Sequence, residues 1–437
     1  MTYDIAIVGG GPGGYTAAEE AAARGLSVVL FERDLLGGTC LNRGCIPTKS
    51  LLHDAASGAV LAEMHARKAA IVTQLRDGVE KLMRQRKVTV VRGNATVAAP
   101  GRVTCDGEEY EARDIIVATG SVPATIPVPG IGLPGVYTSD DLLEGDGVSL
   151  SSLVIVGGGV IGVEFATVYA NLGADVTILE AVDRILPPFD REVSQRVTAH
   201  LKRRGIAVET SCRVCSIEGE PGSTRVSYTD RRGSERTVEA EGVLVACGRR
   251  PATEGLFSDE ATPLLERGAV VCDERGQTSI EHLWAIGDVV AGTTQLAHVA
   301  EAQARNVVAT ICGEEPVSDM AVIPSCVYTT PEVALVGLAE GEAKERGIEV
   351  RTAKALTGSN GKCLVEGSES GYVKLVASAE GGRLLGAQLV CPHATDLVAE
   401  LALAISLGCT ARQLAAVIHP HPTVSELVSA AARSLAG

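Results

Sequence analysis

The sequence predicts an α/β fold: two Rossmann-like three-layer domains followed by a C-terminal α+β domain. Three observations carry this. Asp4 to Glu32 and Leu153 to Glu180 run through the same order of apolar strand, glycine turn, alanine-rich helix, glycine, second strand and terminal glutamate. Gly9, Gly11, Gly14, Gly25 and Glu32 match Gly157, Gly159, Gly162, Gly173 and Glu180 at one constant offset. From about Pro316 the pattern changes to alternating strands followed by two helices.

Taken in order, residues 1–135 form the first dinucleotide domain, opening on a strand from Tyr3 to Val8. Leu61, Met64, Val72, Leu75, Val79 and Leu82 recur at helical spacing across residues 60 to 86. Short strands follow at Val88 to Val91 and Ile115 to Ala118, and the Pro- and Gly-rich segment Ser121 to Pro134 reads as a linker. The second dinucleotide domain spans 136–248 and closes on a strand near Val243 to Cys247. Residues 249–316, containing Leu283 to Asp288, are assigned to the second part of the first domain. Residues 317–437 are the α+β domain. Its strands are Ser325 to Thr329, Val333 to Val336, Tyr372 to Ala377 and Leu384 to Val390, and its helices Ala394 to Leu407 and Val424 to Leu435.

The chain has 437 residues, enough for several cores, with 46% hydrophobic and 21% charged residues. A formal net charge of -15 argues against nucleic acid or an anionic membrane as a partner. No charged leader and no uninterrupted apolar span is evident, so a cytoplasmic location is expected. Structural disulfides are rare there, and most of the 12 cysteines then read as small buried hydrophobes.

In Gly9-Gly-Gly-Pro-Gly-Gly14 the first glycine permits the tight turn, Gly11 lets a pyrophosphate approach the backbone, and Gly14 lets helix and strand pack closely. The pyrophosphate would sit at the helix N-terminus, where free N–H groups and the dipole favour an anion. Glu32 is placed to accept from ribose hydroxyls. The bland alternative is a ligand-free turn, but strand, turn, helix and acid together favour the nucleotide. Gly157-Gly-Gly-Val-Ile-Gly162 reads the same way. Glu180 would repel a 2′-phosphate, which favours NAD over NADP; Arg184 nearby reads as a solvated surface charge.

Cys40 and Cys45 lie in Gly37-Gly-Thr-Cys-Leu-Asn-Arg-Gly-Cys-Ile-Pro-Thr-Lys49, shortly after the first nucleotide fingerprint. A disulfide there would close a very small ring and add little chain-entropy stabilisation, so redox cycling explains the pair better than a structural role. Pro47 suits the first turn of a helix, which puts Cys45 at or just before its N-terminus, where the dipole favours a thiolate. A metal site needs about four ligands, and no second pair lies at suitable spacing. Cys212 and Cys215 sit in a strand-like run that would point them to opposite faces, and read as incidental.

His419-Pro-His-Pro-Thr-Val-Ser-Glu426 places two histidines and an acid just before the last helix. Thiol–disulfide exchange needs a group that takes and returns a proton near neutral pH; histidine suits this, and Glu426 would hold His421 in the right tautomer. A His-Pro loop alone is more often a turn feature. The cysteine pair makes a base chemically necessary, and either the fold or a second subunit must bring His421 to it.

With these segments the chain resembles the flavin-dependent pyridine nucleotide–disulfide oxidoreductases over nearly its whole length. The resemblance rests on Gly9 to Gly14, Gly37 to Lys49, Ala118 to Gly120, Gly157 to Glu164, Gly248 to Pro251, Ala285 to Asp288, Leu296 to His298, Tyr328 to Glu332 and His419 to Glu426. It implies FAD on the first fingerprint, with Asp288 on the ribityl or phosphate part, and the nicotinamide nucleotide on the second. Cys45 is then the sulfur beside the flavin and Cys40 the one that exchanges with substrate. His421 is the acid/base, oriented by Glu426, and Lys49 pairs with Glu164 near the flavin ring. The implied cofactor-binding set is Gly9, Gly11, Pro12, Gly13, Gly14, Glu32, Arg33, Gly38, Thr39, Lys49, Thr119, Gly120, Gly157, Gly159, Ile161, Gly162, Glu180, Gly248, Gly287, Asp288, Leu296, Ala297 and His298, with no metal. The C-terminal domain is implied to form a homodimer in which each site borrows His421 from the partner.

Within the family, Leu41, Asn42, Thr48 and His419 resemble the lipoamide enzymes. This implies oxidation of protein-bound dihydrolipoamide with NAD⁺, the lipoylated carrier of a 2-oxoacid dehydrogenase or glycine cleavage-type complex being a separate protein. The alternative is an NAD(P)H-dependent reductase of another small disulfide or electrophile, of the glutathione or mercuric reductase kind. A non-catalytic flavoprotein predicts loss of a catalytic residue, whereas both cysteines, His421 and Glu426 are present. The chain departs from the family pattern at Arg43, at Ala252 and in a shortened stretch between Leu52 and Val72.

Overall fold

Val28–Glu32 is buried at every position and Thr2–Val8 over its last four, as expected of parallel strands covered on both faces. The computed structural model describes residues 2–368 and 370–437. Among them, a first sheet of seven strands runs Thr89–Arg92, Val28–Glu32, Thr2–Val8, Glu108–Val117, Arg102–Cys105, Ala95–Ala99. Glu108–Val117 does double duty. Its first half pairs antiparallel with Arg102–Cys105, while Ile115 to Val117 pair in parallel with the seventh strand, Leu283–Ala285. The chain therefore returns to its first sheet after completing the second.

The second sheet is wholly parallel, in the order Ala207–Thr210, Asp175–Glu180, Ser152–Val156, Gly242–Val245, Val136–Tyr137. A five-stranded antiparallel sheet follows in the C-terminal part: Ser325–Val327, Val333–Gly337, Leu384–Val390, Tyr372–Ser378, Val350–Leu356. Helices Ala394–Ser406 and Glu426–Ala436 cover it. One apolar core runs through Leu51 and Leu52 of the helix Cys45–Ala56, Phe165 and Tyr169 of the helix Val160–Asn171, and Val327, Tyr372 and Val390 of the C-terminal sheet. That shared core ties the cysteine-bearing helix to the second sheet and the C-terminal sheet, while the first sheet packs in cores of its own.

The expected strands and helices are present, with several additions. Ser121–Pro123, read as linker, is a short strand paired with Arg249–Pro251. Arg213–Glu220, Ser223–Thr229 and Glu235–Ala240 form an antiparallel sheet of their own, and Val350–Leu356 edges the C-terminal sheet. Cys212 precedes its strand and is buried, whereas Cys215 lies within it and is exposed. Among the described residues no helix is long and apolar enough to cross a membrane, and no group of three or more His, Cys, Asp or Glu side chains is placed to hold a metal ion.

Candidate active site

Both glycine loops are built alike. Gly9 and Gly157 have φ of 108° and 113°, a region open to glycine and strained for other residues. A Cβ on Gly14 would lie 1.8 Å from the Gly9 carbonyl oxygen, and one on Gly162 would lie 2.0 Å from that of Gly157. Each helix starts directly after Gly11 or Gly159, with no side chain capping its first N–H groups, and Pro12 fills the first helical position. Gly13 lies in the first turn of one helix and Ile161 in that of the other.

The terminal acids hold these loops. Glu32 accepts from the N–H of Gly10 at 2.8 Å and of Asp34 at 2.8 Å. Glu180 accepts from Gly158 at 2.5 Å and Val182 at 2.9 Å. The carboxylates expected to meet ribose hydroxyls thus first fix the loop backbone, each oxygen keeping a second lone pair for a ligand. Arg184 is not a free surface charge: it pairs with Asp183 and donates to the Pro187 carbonyl.

Beside the first loop lies a cavity of about 230 Å³ lined by Gly9, Glu32, Arg33, Asn94, Thr119 and Glu254, among others. The Thr119 hydroxyl oxygen is buried with no partner among the described residues. Together with the uncapped helix start, this orphaned hydroxyl fits the adenosine end of a dinucleotide. Ala118-Thr119-Gly120 has a counterpart that the repeat in sequence does not reveal. Added Cβ atoms on Gly9 and Gly157 would strike the Ala118 and Ala246 carbonyls respectively, so Cys247 and Gly248 stand where Thr119 and Gly120 stand in the first copy.

Asp288 accepts from the Ser121 hydroxyl at 2.6 Å, and Arg249 Nε donates to the same hydroxyl at 2.8 Å. Gly287 N–H donates to Gln303 in the helix Ala297–Ile311, which starts after Leu296. His298, in that helix's first turn, instead contacts the Pro324 carbonyl at 2.9 Å. Gly38 lies against the first glycine loop: a Cβ there would come within 2.6 Å of Gly11 Cα.

Cys40 and Cys45 are disulfide-bonded, with Cα atoms 4.6 Å apart. Thr39 and Cys40 lie in the short helix Gly38–Arg43, and Cys45 is the first residue of Cys45–Ala56. Gly44 joins them at close quarters, where a Cβ would meet the Thr39 carbonyl at 2.9 Å. No side chain caps Cys45–Ala56 and no acid sits in its first turn, so its dipole favours negative charge at Cys45. Arg43, between the cysteines, forms an ion pair with Asp34.

One turn along, Lys49 Nζ lies 2.8 Å from Glu164 Oε2 and 4.7 Å over the Tyr328 ring. Glu164 is 2% exposed, and its other oxygen accepts from the Tyr328 N–H at 3.1 Å. Burial, first of several causes, pushes the Tyr328 hydroxyl up to about 12. Tyr328 is thus part of the junction, a contact no local sequence pattern announces.

His421 Nδ1 lies 3.0 Å from Glu426 Oε1, and the other Glu426 oxygen accepts from Thr423 N–H at 3.0 Å. The His421 hydrogen bond, then that from Thr423, holds the Glu426 carboxyl below its ordinary range. Among the described residues no hydrogen bond or ion pair of the chain joins this pair to either cysteine, and the His421 side chain is 79% exposed.

A family model for pyridine nucleotide-disulphide oxidoreductases matches residues 3–304, and the model of that family's dimerisation domain matches residues 323–432, which supports a homodimer. The chain is 37% identical to the dihydrolipoyl dehydrogenase of Haloferax volcanii, over 99% of this chain and 96% of the relative. It is 37% identical to that of Bacillus subtilis, over 100% and 98%. Its fold is similar to the HOCl-induced flavoprotein disulfide reductase RclA from Escherichia coli (TM-score 0.92, 31% identity, 99% of each chain). It is also similar to LpdA from Mycobacterium tuberculosis (TM-score 0.90, 27% identity, 99% of each chain). The chain belongs to the pyridine nucleotide-disulphide oxidoreductases, FAD-dependent enzymes that use NAD(H).

Proposed function

We propose that the enzyme oxidises protein-bound dihydrolipoamide with NAD⁺. The observation that carries the chemistry is the Cys40–Cys45 disulfide at an uncapped helix start, one turn from Lys49 and its buried partner Glu164. Full-length likeness to dihydrolipoyl dehydrogenases supports the substrate.

His421 of the partner subunit, held at Nδ1 by Glu426, takes a thiol proton on Nε2. The substrate thiolate attacks Cys40 Sγ; the Cys40–Cys45 bond breaks and leaves Cys45 as a thiolate stabilised by the helix dipole and the Lys49 charge. The second substrate sulfur, deprotonated in turn, attacks the sulfur bonded to Cys40, closing the lipoamide disulfide and releasing Cys40, which leaves the cysteine pair reduced by two electrons. FAD held on the first glycine loop with Asp288 would supply the acceptor for that electron pair and the hydride donor for NAD⁺ held on the second. Lys49 and Glu164 hold charge at the junction between the two nucleotide sites, and the remaining residues orient the cofactors.

The test is reduction of lipoamide by NADH with purified flavoprotein. A normal flavin spectrum with no lipoamide turnover, and good turnover of another disulfide, overturns the substrate. That second reading, a reductase of a different disulfide, is favoured by the likeness to the E. coli flavoprotein disulfide reductase. Glutathione disulfide and cystine, each offered with NADH and with NADPH, separate the two.

A further inference from the structure

His419 has no part in the chemistry above, yet it is held more closely than its neighbour. Residues 416–422 are exposed at every position except His419. Ile418 is 94% exposed, whereas the His419 side chain is 5% exposed. Its Nε2 lies 3.0 Å from Glu400 Oε1, on the helix Ala394–Ser406, and its Nδ1 lies 3.2 Å from the Val417 carbonyl oxygen.

Each ring nitrogen of His419 thus faces an oxygen of its own chain, and neither is turned outward toward a substrate. His421 differs: Glu426 occupies Nδ1, and Nε2 has no partner among the described residues. Two histidines two positions apart are thus given different tasks by their surroundings.

The loop between them needs an anchor. Pro420 and Pro422 lack N–H groups, so backbone bonding there is sparse. On the far side Thr423 is well fixed. Its hydroxyl donates to the Pro420 carbonyl at 2.7 Å, and its own carbonyl accepts from Asn360 at 3.0 Å. On the near side the inward-turned side chain is His419.

We infer that His419 and Glu400 are a positioning pair for disulfide exchange: they fix the backbone that presents His421, so that its Nε2 meets a substrate sulfur. This rests on the reading of His421 as the acid/base.

The test compares holoenzymes carrying Glu400→Ala, Glu400→Gln, His419→Ala or His421→Gln in two assays. One is NADH-dependent reduction of lipoamide. The other is NADH oxidation by ferricyanide, which requires no thiol proton to move. Glu400→Ala and His419→Ala should lower kcat with lipoamide by roughly ten- to hundredfold, with KM and the ferricyanide rate within about twofold. Glu400→Gln keeps an oxygen for His419 Nε2 and should restore the lipoamide rate to within about threefold. If Glu400→Ala and His419→Ala leave that rate unchanged while His421→Gln abolishes it, the positioning pair is wrong and the reading of His421 stands. If His421→Gln leaves it unchanged, the reading of His421 fails and the pair with it. Equal losses in both assays also overturn the pair, since they mark a general loss of structure.

Discussion

Glu164 divides its two carboxylate oxygens between Lys49 Nζ, at 2.8 Å, and the Tyr328 N–H, at 3.1 Å. Lys49 follows the cysteines, Glu164 the second glycine loop, and Tyr328 the first strand of the C-terminal sheet. Removing the lysine leaves a buried carboxylate with half its support. Lys49→Met should cost about 2–3 kcal/mol, less than a fully buried pair because Lys49 is partly exposed. Adding Glu164→Gln should recover most of the loss, read as the midpoint of urea unfolding. No recovery in the double variant contradicts the account.

The two glycine loops should fail separately. Gly14→Ala drives a methyl group into the Gly9 carbonyl, and the protein should purify without flavin. Gly162→Ala makes the equivalent clash in the second loop. It should stay yellow while its KM for NADH rises by at least about tenfold, some 1.4 kcal/mol of binding. A colourless Gly162→Ala protein would show that the loops are not independent.

Cys45→Ser and His421→Gln should each abolish disulfide turnover. Mixed in one preparation, the two chains should regain about a quarter of full activity, because half of the dimers are mixed and one of their two sites combines both intact residues. Absence of any regain in dimers verified as mixed would place His421 and the cysteines of a working site in the same chain.

The lowered pKa of Glu426 has a definite sign. Its carboxylate is stabilised in the folded state, so that contribution is present above the ordinary glutamate pKa and is lost as pH falls through the lowered value. Carboxyl NMR should find Glu426 ionised at a pH where free glutamates have begun to protonate, and His421→Ala should move its titration upward. Titration at the ordinary value in the unaltered protein argues against the contact.

The repeat and the cysteine run were legible because their constraints are local: a turn needs glycine, and a helix start accepts proline. What stayed hidden depends on contacts between distant segments. Val350–Leu356 is an edge strand with mostly exposed or half-exposed residues, so it lacks a clean apolar alternation. Ser121–Pro123 becomes a strand only because Arg249–Pro251 lies beside it. Tyr328 and Asn360 act through a backbone N–H and a side-chain amide, groups that leave no periodic trace. The Lys49–Glu164 pairing came from family likeness; neither residue's neighbours in sequence specify the other.

The Gly10–Glu32 and Gly158–Glu180 bonds carry a consequence for engineering. Each glutamate fixes the backbone of its loop and is also the group expected to meet a ribose, so on that expectation cofactor preference and loop rigidity are not separable design variables. Exchanging Glu180 for a neutral or basic residue to recruit a phosphorylated nucleotide would also untether Gly158 and Val182. A successful switch would need a replacement acceptor for those two N–H groups, supplied from elsewhere in the same loop.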